Sequence, residues 1–273
     1  MRRVTISILA VLFLSIPGSA DTGIVLAGDS CIESIAGILG ETEAARRAWE
    51  IRRISDSAIH EAILALERCQ IRKDFALYNL AHQSTAGFKR IDPWTLLRDF
   101  TQGSFRQTEN QFHVAIEGGG FFQVELPDGS IFFTRCGAFE LDSRGSLVTH
   151  DGFYLESKIT VPANALTLEI NSVGTVTAQD PTGSLIQLGT IQLTQFVNPA
   201  GLQPVGTDLY RETASSGAPT TSSPGTIGTG LLRQGFVEES NVRELMETET
   251  LERLKKEETC LRWALERFGY RLP

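Results

Sequence analysis

The stretch Val114-Ala115-Ile116-Glu117-Gly118-Gly119-Gly120-Phe121-Phe122-Gln123-Val124-Glu125-Leu126-Pro127-Asp128-Gly129 decides the fold. Two short β-prone runs, Val114 to Glu117 and Phe121 to Leu126, flank three glycines, and a turn follows them. In that turn Pro127 presets its own φ, Asp128 can bond the local backbone and Gly129 tolerates positive φ. A phosphate-cradling loop would have to open a helix, whereas Phe121-Phe122-Gln123-Val124 is strand-like. The triplet therefore reads as a bulge or tight bend, not as a nucleotide site.

The same short period continues downstream. Ile131 to Arg135, Phe139 to Leu141, Ser146 to Thr149 and Phe153 to Glu156 are further strand candidates, with Asp142-Ser143-Arg144-Gly145 as another turn. A second set, Leu166 to Ile170, Thr175 to Ala178, Leu185 to Leu188 and Ile191 to Phe196, is expected to join an antiparallel sheet. From Asn198 to Gly230, 20 of 33 residues are Gly, Pro, Ser or Thr and charge is scarce, which predicts an extended, irregular connector.

Both flanks are helical in pattern. Ser34 to Leu80 contains no Pro and only two glycines, Gly37 and Gly40, so one long helix or two joined near Gly40 is expected. Ile51, Ile54, Ala58, Ile63, Leu66, Leu77 and Leu80 give it a rough apolar stripe. At the other end Leu251, Leu254, Leu261, Leu265 and Phe268 step by three and four if Glu258 fills the intervening position, a short coiled-coil signature. The nine acids and seven bases between Val237 and Pro273 are explained by a solvated helix face.

The expected architecture is α+β, with N- and C-terminal helices forming a coiled-coil-like region around a central, mostly antiparallel β domain. By residue number it divides into a signal peptide at 1–20, an N-terminal helical region at 21–90, a β domain at 91–197, an extended Gly/Pro/Ser/Thr-rich connector returning to the helical end at 198–235, and a C-terminal helix at 236–273. The signal reading rests on Arg2 and Arg3, the apolar run Val4 to Ile16, and Pro17-Gly18-Ser19-Ala20. Thirteen helical residues span only about 20 Å, short of a ~30 Å hydrocarbon core, so cleavage after Ala20 is favoured over a retained anchor. Membrane contact is expected only through this segment, if it is uncleaved.

At 273 residues and 41% hydrophobic, the chain is long enough to bury a core. Its net charge of −8 and pI near 5.1 argue against a nucleic-acid partner, because phosphate binding draws on surplus Lys and Arg. The four cysteines, Cys31, Cys69, Cys136 and Cys260, show no C-x-x-C pair and no His at ligand spacing, which disfavours a metal site. They allow three complete pairings, Cys69 with Cys260 being one candidate bridge, or free thiols. His150-Asp151 sits beside a turn glycine and reads as solvated turn chemistry, and His60, His82 and His113 have no partner motif. With no G-x-S-x-G elbow, H-E-x-x-H helix or P-loop in the sequence, no catalytic residue is assigned.

Local strings then match a family. Asn79-Leu80-Ala81 followed by Ser84-Thr85-Ala86-Gly87-Phe88-Lys89-Arg90 resembles the motif that ends the N-terminal helix of flagellar rod and hook proteins. Asp99 to Ser104, Val114 to Gly118, Gly120-Phe121-Phe122, and Phe133-Thr134-Arg135 through Gly152 look like their β domain. Phe196-Val197-Asn198-Pro199-Ala200-Gly201-Leu202, Leu209-Tyr210, Thr213, Ser216-Gly217, Gln234-Gly235-Phe236-Val237-Glu238 and Ser240-Asn241-Val242 resemble the distal-rod branch in order and spacing. The similarity covers about Tyr78 to Val242.

The resemblance implies a structural role in the basal body, on the periplasmic side. Terminal helices would pack with those of other copies, and of other rod or hook subunits, around an axis while the β domain forms an outer layer. Neither a cofactor nor a small-molecule substrate is implied. Two features depart from the family. Its members usually leave through the flagellum's own export apparatus without a cleavable signal, and their C-terminal helix carries a Gln-Arg-Ala-Tyr-Glu-type stretch where this chain has Lys255 to Cys260. These departures motivate the other reading, a periplasmic relative diverted to an adaptor or envelope-binding role.

Overall fold

The computed structural model describes residues 43–267 and Tyr270. The expected signal peptide, Gly37, Gly40, Cys31 and Phe268 lie outside the described residues. A long helix, α1 (Glu43–Ala81), runs 39 residues without interruption, about 58 Å at ~1.5 Å per residue. It stops where the amides of His82 and Gln83 tighten onto the Asn79 and Leu80 carbonyls. Gly87 then turns the chain with φ +71°, and a Cβ there would lie 2.5 Å from the Cys136 amide nitrogen, so only glycine fits.

Sixteen short strands follow among the described residues. The first eleven are β1 (Phe105–Gln107), β2 (Val114–Glu117), β3 (Phe122–Glu125), β4 (Ile131–Thr134), β5 (Glu140–Leu141), β6 (Leu147–Val148), β7 (Tyr154–Leu155), β8 (Thr167–Ile170), β9 (Thr175–Gln179), β10 (Leu185–Thr190) and β11 (Leu193–Gln195). Each strand expected from the short-period pattern falls inside the predicted run or within two residues of it. Alternating burial along β3, β8 and β9 puts one side of each into the interior, as antiparallel half-buried strands require.

The stretch expected as an irregular connector is instead woven into the sheets. It carries a 3-10 turn (Pro199–Gly201), β12 (Gln203–Val205), β13 (Leu209–Arg211), β14 (Thr220–Ser222) and β15 (Leu231–Gln234), and β16 (Phe236–Glu238) follows. The physical reason is Tyr210: β13 pairs with β4 so that Tyr210 stands opposite Phe133, fully buried. Threonine, which leaves a linker polar, is also a β-branched residue that pairs readily in a strand. The helix expected from 236 begins only at Glu244, after β16; α2 (Glu244–Arg267) has Glu244 and Glu247 in its first turn and Arg267 in its last, each favourable for the helix dipole.

The seven-stranded sheet has the order β12-β13-β4-β3-β7-β6-β5, a three-stranded sheet has β10-β9-β8, and β1 pairs β16, β2 pairs β15 and β11 pairs β14. All named pairings are antiparallel. Two hydrophobic clusters form, and the neighbours Phe121 and Phe122 serve one each. Phe122 joins Val114, Ile116, Phe139, Leu147 and Leu193, meeting Phe139 edge to face at 5.1 Å. Phe121 joins Phe133, Phe196, Leu202 and Tyr210, with Phe100 against it. Successive strand side chains point to opposite faces, so an adjacent aromatic pair ties two cores to one backbone.

Arg72 to Leu251 forms one compact unit, and the described residues on either side of it form a second. In that smaller unit α1 and α2 meet at Cys69, a buried residue whose thiol donates to the Leu254 carbonyl at 3.2 Å. The candidate Cys69–Cys260 bridge is not formed: Cys260 is exposed whereas Cys69 is fully buried. Among the described residues no helix is long and apolar enough to cross a membrane.

Candidate functional site

Residues from the N-terminal motif and from the strands ahead of α2 converge on one buried carboxylate, Glu238. Its Oε1 accepts from Lys89 Nζ at 2.5 Å and from the Gly103 amide at 2.9 Å. Its Oε2 accepts from Arg135 Nη2 at 2.7 Å and Nε at 3.0 Å, two charged donors converging on one oxygen. Lys89 and the Glu238 side chain are wholly shielded from solvent, and Arg135 is 4% exposed. Burial pushes the Lys89 ammonium down from its ordinary pKa; the Glu238 charge opposes that shift and Arg135 adds to it.

Carbonyl dipoles supply the rest of the compensation. Lys89 Nζ also donates to the Thr101 carbonyl at 2.8 Å. Arg135 donates to the carbonyls of Gly118 at 2.9 Å, Gly120 at 2.6 Å and Ile116 at 3.3 Å. The glycine triplet is thus a bend with a task, turning its carbonyls inward at φ +117° for Gly118 and +115° for Gly120. Around this centre the Gly87 amide donates to the Glu238 carbonyl at 2.8 Å, and Arg98 donates to the Lys89 carbonyl.

Two asparagines splice the neighbouring segments. Asn79, fully buried at the end of α1, donates to the Ile91 carbonyl at 2.7 Å and accepts from the Ile91 amide at 2.9 Å. Asn241 accepts from the Arg90 amide at 2.7 Å and donates to the Asp99 carbonyl at 2.7 Å. Arg90 pairs in turn with the buried Glu247 of α2. Phe88 is buried against Arg98, whose guanidinium sits 4.8 Å from the ring centroid.

Other motif residues lie elsewhere. Asn198, Pro199 and Gly201 shape the turn that carries Leu202 into the second core, with Asn198 donating to Ser215. Gln234 links β15 to β8, donating to the Leu168 carbonyl and accepting from the Ile170 amide, while the Gly235 amide donates to His113. Ser240 is buried and accepts from the Val242 amide. Leu80 is half-buried and Ala81 exposed. Along α2, Leu251, Leu254 and Leu265 are buried and Leu261 and Glu258 half-buried.

Of the junction residues, Arg98 and Glu247 carry no expectation from the sequence, and Arg135 and Glu238 lie in the family-like strings without a role assigned to them. A signal was present: Arg135 and Glu238 each end a run of strand residues that is otherwise uncharged. His150 stands exposed beside Glu140 at 3.2 Å, and burial pushes the Cys136 thiol up to about 12, away from nucleophilic use. What the Glu238 arrangement does chemically is clamp backbone, since both Glu238 oxygens, Lys89 Nζ and all three Arg135 guanidinium nitrogens are engaged by the chain itself, while at its edge Arg98 Nε and Glu247 Oε2 are buried without a partner.

Residues 115–178, from β2 to β9, match the family described as the flagellar hook protein FlgE/F/G D1 domain. The flagellar basal-body rod protein FlgG of Buchnera aphidicola from Acyrthosiphon pisum is 38% identical over 214 residues, 65% of this chain and 82% of that protein. The chain belongs to the flagellar basal-body rod protein family. The same rod protein from the Baizongia pistaciae symbiont is 43% identical over 163 residues, 58% of this chain and 63% of its own length. The rod protein of Bacillus subtilis is 39% identical over 142 residues, 50% of this chain and 53% of its own.

Proposed function

We propose that this chain is a structural subunit of the bacterial flagellar basal-body rod, acting on the periplasmic side by self-assembly through its terminal helices. Its partners are further copies of itself and other rod or hook subunits. The observation that carries this reading is the Glu238 clamp, which ties the residues after α1 to those before α2. Such a clamp holds together the segments that lead out of the first helix and into the second, which suits a part built around its paired terminal helices. An amphipathic helix takes most of its stability from packing, so the ends gain order on assembly. Leu251, Leu254, Leu261, Leu265 and Phe268 are the residues assigned to helix association.

The test is localisation of a C-terminally tagged full chain in purified basal bodies, alongside deletion and a motility assay. The rod role predicts recovery in the basal-body fraction and loss of motility on deletion. Normal motility together with absence from basal bodies would overturn it.

A further inference from the structure

Two connections of the β body lie side by side. The turn from Thr108 to His113 joins β1 to β2, and Gly235 joins β15 to β16. Because β1 pairs β16 and β2 pairs β15, both ladders end at this crossing. Backbone bonds knit it, the Thr108 amide donating to the Gly235 carbonyl at 2.7 Å and the Gly235 amide to the His113 carbonyl at 2.8 Å. His113 stands there half-buried, with both ring nitrogens engaged.

Each proton around that ring follows from its partners. The Phe112 amide donates to Asn110 Oδ1 at 2.9 Å, so the Asn110 amide nitrogen is the atom that faces His113 Nε2 at 3.1 Å. An amide nitrogen only donates, so Nε2 carries no proton and accepts. The single proton of a neutral imidazole then sits on Nδ1, where it reaches Thr108 Oγ1 at 3.0 Å. That hydroxyl, having accepted from the ring, donates its own proton to the Gly235 carbonyl at 3.2 Å. The bonds run in one direction from Phe112 to Gly235, and only a neutral ring completes them.

The surrounding charges favour the same state. Arg106 of β1, itself paired with Glu239 at 3.3 Å, acts on the ring from one side. Glu140 of β5, which also lies 3.2 Å from His150, acts from the other, where His113 bridges to Ala138 just ahead of that strand. Burial holds the His113 pKa below its ordinary 6.5; Arg106 adds to the lowering and Glu140 opposes it.

We propose that His113 is a proton-operated latch between the β1–β2 turn and Gly235. A proton taken from water binds the Nε2 lone pair, and Nε2–H then faces Asn110 Nδ2–H, two donors with no acceptor between them. The ring also becomes a cation near Arg106. Relief comes only by moving the ring away from Thr108 or by swinging Asn110 off the Phe112 amide, and either opens the turn. The stability that the latch contributes is whole above pH 6.5 and is lost as pH falls from there through the lowered folded value.

The test is a ring-nitrogen NMR titration of the full chain, combined with hydrogen exchange at the Thr108 and Gly235 amides corrected for the intrinsic effect of pH. Both are run on the native chain and on Asn110→Asp. At pH 7.5 the proton is expected on Nδ1 of His113, and its titration midpoint below 6.5. Asn110→Asp replaces the donor facing Nε2 by an acceptor, which should raise that midpoint by about one pH unit or more. In the native chain, exchange at the two amides should quicken by about fivefold once His113 is protonated, the effect of one lost hydrogen bond, and should stay slow in Asn110→Asp. A proton on Nε2 at pH 7.5, or a midpoint at or above 6.5, overturns the latch. So does exchange that ignores the protonation of His113, or that quickens in Asn110→Asp as much as in the native chain.

Discussion

The Glu238 junction and the leucine stripe of α2 are both buried, yet they are built in opposite ways. The stripe is periodic, apolar and contained in one helix, with Leu251, Leu254 and Leu265 shielded from solvent. The junction draws on residues 149 and 103 positions from Glu238, and it places two cations and one carboxylate out of water. Apolar burial adds up residue by residue and tolerates repacking. A buried charge set is less forgiving, because removing its one carboxylate strands both cations. The difference separates packing that tolerates change one residue at a time from a set that depends on a single carboxylate.

The sharpest way to break that contrast is Glu238→Ala, which leaves Lys89 and Arg135 buried without their counter-ion. A loss of about 3–5 kcal/mol is expected, read from the guanidinium midpoint at unchanged slope. Leu254→Ala in the stripe should cost about 2–4 kcal/mol, the cavity cost of a buried leucine, with local loss of α2 helicity by circular dichroism. Lys89→Met should cost less, about 1–3 kcal/mol, because Glu238 keeps Arg135 and the Gly103 amide. A Lys89→Met loss equal to that of Glu238→Ala would sink the idea that one carboxylate serves both cations.

The smallest effect concerns the surface turns. The Ser146 and Arg144 amides bond Asp142, and these hold its carboxyl below the usual 3.8, the Ser146 bond contributing most. The folded state then stays ionised where the unfolded chain has begun to take a proton. The resulting stability is present above about pH 3.8 and is lost as pH falls through the lowered value. Asp142→Asn keeps an acceptor but no titrating group, so its melting temperature should fall less than that of the native chain between pH 7 and pH 3.

Much of the fold was legible because its signals are local. The β runs from Val114 to Phe196 declare themselves by alternation and by turns such as Asp142 to Gly145, and α1 by its lack of proline up to the Gly87 break. The stretch after Asn198 was misread because composition reports what a segment can do alone, whereas Tyr210 acts by pairing with a strand 77 residues earlier. The junction escaped for the same reason. Neither Lys89 nor Arg135 has a partner within reach along the sequence, and only closure of β1 on β16 brings Glu238 to them. The asparagines and glycines around it were found through family-like strings, without their hydrogen-bond roles.

The bond between the Gly87 amide and the Glu238 carbonyl has a mechanical meaning. The chain enters and leaves its β body at one point. Tension applied where the chain enters and leaves that body is met by Lys89, Glu238 and Arg135 before it reaches the strands beyond them. Until that tie ruptures, the two aromatic cores lie off the load path.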